Sequence, residues 1–404
     1  MPAPTSPLRH DAQVIGFVGV AHGFSHFFQL MLPPLFPMLK GEFETGYAEL
    51  GLVMAVFYAV SGLMQTVAGF LVDRWGAHRI LVLGLGCAAI GAMSYAIAPS
   101  YPFLIVGAVI GGLGNSVFHP GDLALLNAKV STPRLGYAFS VHGIGGNLGW
   151  AAAPVFAVAM AAAFGWRVAL VAAGALGLAF TALFALQGAL RVRGAAVSAF
   201  AGTRGLARDL HALTRSAIVL CFLFFLLYSM ALVGYQTFSV PAITELYAVP
   251  VVTATAALTT FLLGGVAGIL FGGWVATRTH RHARVAALGM LLAAVFSLLL
   301  APGQVPPALL SAVIAAVGFF LGMIGPSRDI LVREVAPVDA RGKVYGFVYS
   351  GLDLGGLVAP LAFGVALDQG APWVVFAGAA AFMLLSIPTA LRVVGGPRGL
   401  PIPA

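Results

Sequence analysis

The chain is 404 residues long, 60% hydrophobic and only 8% charged, with a mean hydropathy of +0.99. Soluble domains carry about a quarter of their residues as charged side chains, so the composition excludes an ordinary water-soluble globule and points to an all-α, polytopic membrane protein. A net charge of +8 would suit an anionic partner, but the placement of the charges along the chain gives another reason for it.

The opening "MPAPTSPLRHDAQ" is short and mildly polar, and the apolar run behind it is too long for a signal-peptide core, so the first span is expected to be retained. Apolar runs follow at about 14–38, 49–72, 80–98, 102–126, 136–163, 166–189, 216–243, 251–276, 284–302, 306–332, 343–367 and 372–393, which predicts twelve membrane-spanning helices. Basic residues gather in alternate loops, at Arg74 and Arg79, Lys129 and Arg134, 191–215, 278–284 and 333–343, while the other loops hold only Lys40 and Arg167. This asymmetry predicts a multi-pass protein of the cell inner membrane with both termini in the cytoplasm, and it makes the basic balance topological: the lipid bilayer is a partner and nucleic acid is not. Cys87 and Cys221 both lie in apolar runs, far apart, with no disulfide or zinc spacing.

Polar residues inside these spans cost roughly 2.5–3.5 kcal/mol each when ionisable, so they are expected to face a cavity or a partner. On the first span His22, His26 and Gln29 follow i, i+4, i+7 spacing and share one helical face. They read either as a polar stripe on a substrate path, where imidazole exchanges protons near working pH, or as structural histidines bonded to neighbouring helices. After the second span comes "GFLVDRWGAHR", with Gly69, Asp73, Arg74, Gly76 and Arg79 at a tight turn. Gly69 is expected to permit close helix approach and Asp73 to cap or pair with positive groups, so that the loop acts as a conformational latch. On the fourth span His119 precedes Pro120, which frees a carbonyl of the preceding turn, so His119 can serve backbone or substrate. Asp122, one turn on, is expected to reach Arg74 or Arg79 as a gating charge relay or as a static salt bridge. The fifth span adds His142.

Residues 190–215 form the single long polar interruption, a predicted cytoplasmic linker between an N-terminal bundle, 1–189, and a C-terminal bundle, 216–404. Its end places Leu206, Leu210 and Leu213 on one face, as in a helix lying on the inner leaflet, or it is a basic tether. In the second half Tyr228, Tyr235 and Gln236 on the seventh span are candidates to stack on or bond a ligand, with packing as the rival reading. Tyr345, Tyr349 and Asp353 recur every four residues on the eleventh, two hydroxyls leading to a carboxylate. Asp353 is expected to be a proton or cation site that cycles between charged and neutral forms, or else a cap on backbone beside Gly351, Gly355 and Gly356. Arg328 and Asp329 lie nearer the inner end of the tenth span.

An offset of 206 residues sets Pro120 against Pro326, Gly136 against Gly342, Gly145 against Gly351, Gly149 against Gly355 and Pro154 against Pro360, an internal repeat that also matches Asn147 with Asp353. Such halves are expected to pack about an axis along the membrane normal and to rock about a central site.

The loop "GFLVDRWGAHR" resembles the signature loop of the major facilitator superfamily. The stretches "AHGFSHFFQLMLPPLFPML", "NSVFHPGDLALL" and "SVHGIGGNLGWAAAPV" resemble the fosmidomycin-resistance-type exporters of that superfamily. The fifth span departs from the Gly-x-x-x-Gly-Pro pattern of drug antiporters, with Pro154 lacking its preceding glycine, and the fourth lacks the arginine of many proton-coupled relatives. The resemblance implies two pseudo-symmetric six-helix bundles, a monomer, and a proton-driven antiporter for efflux of small molecules, with the first span lining the cavity.

No P-loop, metalloprotease pair or nucleophile elbow is present in the sequence, so the chain is read as a transporter, not an enzyme, with no cofactor and the proton gradient as its energy source. The expected activity is proton-coupled export of a small polar or anionic compound by alternating access. His22, His26, Gln29, His119, His142, Asn147, Tyr228, Tyr235, Gln236, Tyr349 and Asp353 are the expected substrate or proton site, and Gly69, Asp73, Arg74, Gly76, Arg79 and Asp122 the gate. Proton-linked uptake of an organic acid, transition-metal transport on the histidines, and a receptor or scaffold that moves nothing are the alternatives; the metal reading is weakened by the want of an acidic ligand beside the histidines.

Overall fold

A computed structural model describes residues 7–190, 216–336 and 341–393. The stretch beyond Leu190, expected to be a linker with an interfacial helix, lies outside the described residues up to Arg215. Lipid offers no partner to a bare N–H or C=O, so a chain this apolar must satisfy its backbone within each span, and the described residues form helices without a strand.

The helices are α1 (Pro7–Gln29), α2 (Phe36–Glu42), α3 (Tyr47–Trp75), α4 (Ala77–Ala96), α5 (Tyr101–Asn115), α6 (Phe118–Lys129), α7 (Leu135–Phe164), α8 (Trp166–Ala185), α9 (Ser216–Tyr247), α10 (Val251–Ala276), α11 (His282–Leu300), α12 (Pro307–Met323), α13 (Gly325–Val335), α14 (Arg341–Asp368) and α15 (Trp373–Val393). Joined across their short breaks, they give 12 stretches long and apolar enough to cross a membrane. The chain divides into two compact units, one of Met1–Ala201 with Val251–Thr259 and one of Gly202–Pro250 with Thr260–Ala404.

The fourth and tenth spans are broken at the same repeat position. Pro120 and Pro326 have no N–H to return to the preceding turn, so α5 gives way to α6 and α12 to α13 just before them. The two short helices that follow carry Asp122 and Arg328 near their starts.

Glycine seams set the helix spacing. α1 lies along α7; a Cβ on Gly145 or Gly149 would collide with the carbonyl oxygen of Gly19 or Gly23. The repeat reproduces this in the second unit, where a Cβ on Gly351 would stand 2.8 Å from the Phe222 oxygen and one on Gly355 2.6 Å from the Ser229 Cβ. Small residues at such positions let backbones approach, and van der Waals packing replaces the hydrophobic drive that lipid removes. The latch loop divides its glycines differently from expectation. Gly76 is required, since it ends α3 at φ +88, but a Cβ on Gly69 would meet open space, so close helix approach is not its role in this conformation.

Two ion pairs tie the ends of the first unit. Asp11 near the start of α1 accepts from Arg134 and Ser131, between α6 and α7. On the other face Arg167 Nη1 lies 2.6 Å from Glu42 Oε1.

Candidate functional site

The break in the fourth span turns Asp122 toward α1 and α7, and the glycine seam brings those helices close enough for their imidazoles to reach it. His22 Nδ1 lies 3.0 Å and His142 Nε2 3.1 Å from the same carboxylate oxygen, Asp122 Oδ2. The carboxylate is fully buried, and its second oxygen has no hydrogen-bond partner. The two imidazoles stack with ring centroids 3.6 Å apart, and His26 and His119 follow at 4.4 and 5.4 Å from His22. Gly146 closes the group from α7: a Cβ there would stand 2.7 Å from His22 Cδ2 and His26 Cε1.

Asp122 Oδ2 faces two imidazole nitrogens, and the ion pairs among the described residues bring it no lysine or arginine. Desolvated carboxylates are tolerated when they are hydrogen-bonded and paired in this way. A carboxylate beside imidazoles is chemistry that can hold and release a proton.

Four of the residues expected to bind substrate or protons, His22, His26, His119 and His142, converge here. His26 is half-buried, with its ring stacked on Trp150 at 4.0 Å and its Nδ1 unpartnered. Gln29 is held by the same indole, Trp150 Nε1 donating to its Oε1 at 2.7 Å. His119 is exposed and makes no described hydrogen bond, so it does not serve the backbone carbonyl freed by Pro120.

Asp122 requires the main correction. It does not reach Arg74 or Arg79: its partners are His22 and His142, while Asp73, Arg74 and Arg79 are exposed and engaged by no ion pair among the described residues. The acidic neighbour that the histidines were expected to lack is therefore present, and the three donor atoms of His22, Asp122 and His142 lie within 4.8 Å of one another.

Asn147 turns away from the group and donates to Gly143 O of its own helix at 2.8 Å. Tyr235 is also reassigned. It is fully buried, stacked on Phe261 at 4.9 Å, and its hydroxyl bonds Ser297 Oγ at 2.6 Å, which makes it core and not ligand lining. Gln236 beside it is buried with Nε2 unpartnered.

The tyrosine row of α14 does not lead to Asp353. Tyr349 donates to Asp329 Oδ1 at 3.1 Å and Tyr345 to the Asp329 carbonyl at 3.4 Å, both on α13. Asp353 is half-buried, and no hydrogen bond or ion pair among the described residues engages it. Tyr228 is buried with its ring 5.0 Å from the Arg328 guanidinium.

The sequence reading left out Trp150 and the chain in which Ser25 Oγ donates to Asn115 Oδ1 and Asn115 Nδ2 to Ser61 Oγ, each at 2.8 Å. The 206-residue offset holds one signal that was not used: it matches His22 with Tyr228 and Asp122 with Arg328.

The family described as Major Facilitator Superfamily matches residues 18–243 and 232–401. The fosmidomycin resistance protein of Escherichia coli K12 is 28% identical over 163 residues, 40% of each chain. The uncharacterized transporter YfnC of Bacillus subtilis is 30% identical over 142 residues, 35% of this chain and 34% of its own. The chain thus matches only about two fifths or less of these relatives' length. The probable nitrate/nitrite transporter NarK2 of Mycobacterium tuberculosis is 27% identical over 348 residues, 84% of this chain and 85% of its own. Among solved structures, a bacterial homologue of the lysosomal transporter Spinster, inward-facing and occupied, superposes with a TM-score of 0.74 at 15% identity, covering 97% of this chain and 96% of that one. The nucleoside transporter NupG superposes with 0.76 at 14% identity, covering 94% and 99%. These two likenesses are of fold.

Proposed function

The chain belongs to the Major Facilitator Superfamily, and from that premise we propose that it is a proton-coupled antiporter that exports a small polar or anionic compound by alternating access. The observation that carries the reading is the buried His22–Asp122–His142 group. A fully buried carboxylate, held by two imidazoles and flanked by two more, has no packing role that an apolar residue would not fill at lower cost. Its chemistry is the taking up and release of a proton, and a superfamily fold converts such an event into exchange of access between the two membrane faces.

In this mechanism protonation of Asp122 removes the charge that orients His22 and His142. The α1–α7 seam then carries that change along the two helices. His119, exposed and with no described hydrogen bond, is the port by which protons enter or leave the group. Export, the inner membrane, a monomeric state and cytoplasmic termini complete the proposal; the partial likeness to a fosmidomycin resistance protein supports the direction, and the alternation of basic loops supports the orientation.

The test uses purified protein in proteoliposomes enclosing a pH-reporting dye, with fosmidomycin and a panel of phosphonates and organic acids. Substrate-driven proton flux is expected in the native chain and at least a hundredfold less in Asp122→Asn, with substrate–substrate exchange retained. Flux in Asp122→Asn equal to the native chain would remove the group from the proton route, and Asp353→Asn, run beside it, asks whether the second unit supplies that route.

A second reading has one observation behind it: the three donor atoms within 4.8 Å suit a transition-metal ion as cargo. Metal-driven proton flux in the same vesicles, with zinc or copper bound by the native chain and not by Asp122→Asn, would replace the organic substrate with the metal.

A further inference from the structure

The second unit holds a polar centre at the repeat position of the histidine group, and its sign is opposite. Arg328 occupies the place of Asp122 and Tyr228 the place of His22. The Arg328 guanidinium lies 4.5 Å over the Phe225 ring and 5.0 Å over the Tyr228 ring, with its side chain 13% exposed. Its Nε donates to Asp329 Oδ1 at 3.0 Å, and the same oxygen accepts from Tyr349. The Asp329 side chain is 43% exposed.

An arginine always carries its charge, so unlike Asp122 it cannot serve as a proton carrier. Its cost in an apolar span is met instead by the two ring faces and one carboxylate. The bond to Asp329 engages Nε, and the Arg328 side chain also bonds the Tyr228 hydroxyl, so the bond to Asp329 does not use the two-nitrogen edge that grips a planar oxyanion with two parallel bonds. The carboxylate that occupies Arg328 is its sequence neighbour on α13, and it is 43% exposed, so it can leave without unfolding anything. Tyr349 already donates to it, and Tyr345 donates to the backbone carbonyl of the same residue.

We infer that Arg328 is the recognition point for an organic oxyanion, a carboxylate or phosphonate on a small organic body, and that Asp329 is an internal stand-in which that anion displaces. The inference rests on the transporter reading for the word cargo but not for its test. The Phe225 and Tyr228 rings back the guanidinium and hold its plane, and Tyr349 supplies a hydroxyl to whichever oxyanion is in place. The positive end of α13 favours the same occupant.

The test is equilibrium binding to the purified full-length chain in phosphatidylcholine nanodiscs, with phenylphosphonate and benzoate as probes and dimethyl phenylphosphonate and benzamide as their neutral counterparts. The native chain is expected to prefer each anion over its neutral partner. Arg328→Gln loses that preference by tenfold or more, and Arg328→Lys recovers only part of it because a point charge cannot reproduce the fork. Asp329→Asn gains affinity for the anions, about threefold to tenfold, and none for the neutral compounds. A gain cannot come from misfolding, so this variant keeps the inference open to refutation even where Arg328→Gln unfolds. Equal binding of anion and neutral compound by the native chain, or an Asp329→Asn variant no tighter than the native chain, would overturn it. Displacement of phenylphosphonate by added phosphatidylglycerol would assign the fork to a lipid headgroup and overturn its role toward cargo. Failure of Asp122→Asn to alter proton flux would sink the coupling scheme and leave this binding result standing.

Discussion

Asp122 and Tyr235 mark the limits of what a residue reveals before its neighbours are known. Both stand in apolar runs, and both were natural candidates for function, yet one is joined to two imidazoles and the other to a core hydroxyl. Ser297 Oγ donates onward to the Phe376 carbonyl at 2.7 Å, so Tyr235 is the donor in its own bond. Tyr235→Phe is expected to lose that one bond, about 1 kcal/mol of stability in detergent unfolding, with transport unchanged; a tenfold loss of transport at native stability would return Tyr235 to the ligand path. The histidine spacing in α1 was legible because a helix fixes which residues share a face. The partner of those histidines was not, since Asp122 is 100 residues away from His22 and only the break before Pro120 aims it.

At the scale of elements, the close contacts are backbone against backbone, and their tolerance is correspondingly small. Gly149→Ala is expected to cost about 1–3 kcal/mol, because the Gly23 carbonyl cannot yield as a side chain would. Gly143→Ala on the same helix meets open space and should stay within about 0.5 kcal/mol of the native chain. Thermal unfolding of the two variants side by side checks this, and equal stability would show that α1 can shift away from α7. The seam was readable in the repeat, which singled out Gly145, Gly149, Gly351 and Gly355. The tyrosine row of α14 was misread for the opposite reason: helical spacing says which residues share a face, not which helix that face meets. Tyr345 and Tyr349 therefore led by sequence to Asp353, and by packing to Asp329.

For the whole molecule, apolar length and loop charge were enough to count twelve spans, since lipid allows a long apolar chain few other forms. The ion pairs add sidedness: Asp11 and Arg134 share one end of the first unit, Glu42 and Arg167 the other. With Cys87 and Cys221 replaced, an impermeant maleimide applied to intact cells is expected to label Lys40→Cys and not Arg79→Cys; the reverse pattern would invert the proposed orientation. The repeated glycine seam has a consequence for descent as well. Gly145 and Gly149 of this seam recur as Gly351 and Gly355 in the other half, while the polar groups seated beside them have diverged to Asp122 in one and Arg328 in the other. A lineage built in this manner can exchange what it carries by altering a handful of side chains next to an unaltered frame, so among descendants of one ancestor the glycines should outlast the chemistry.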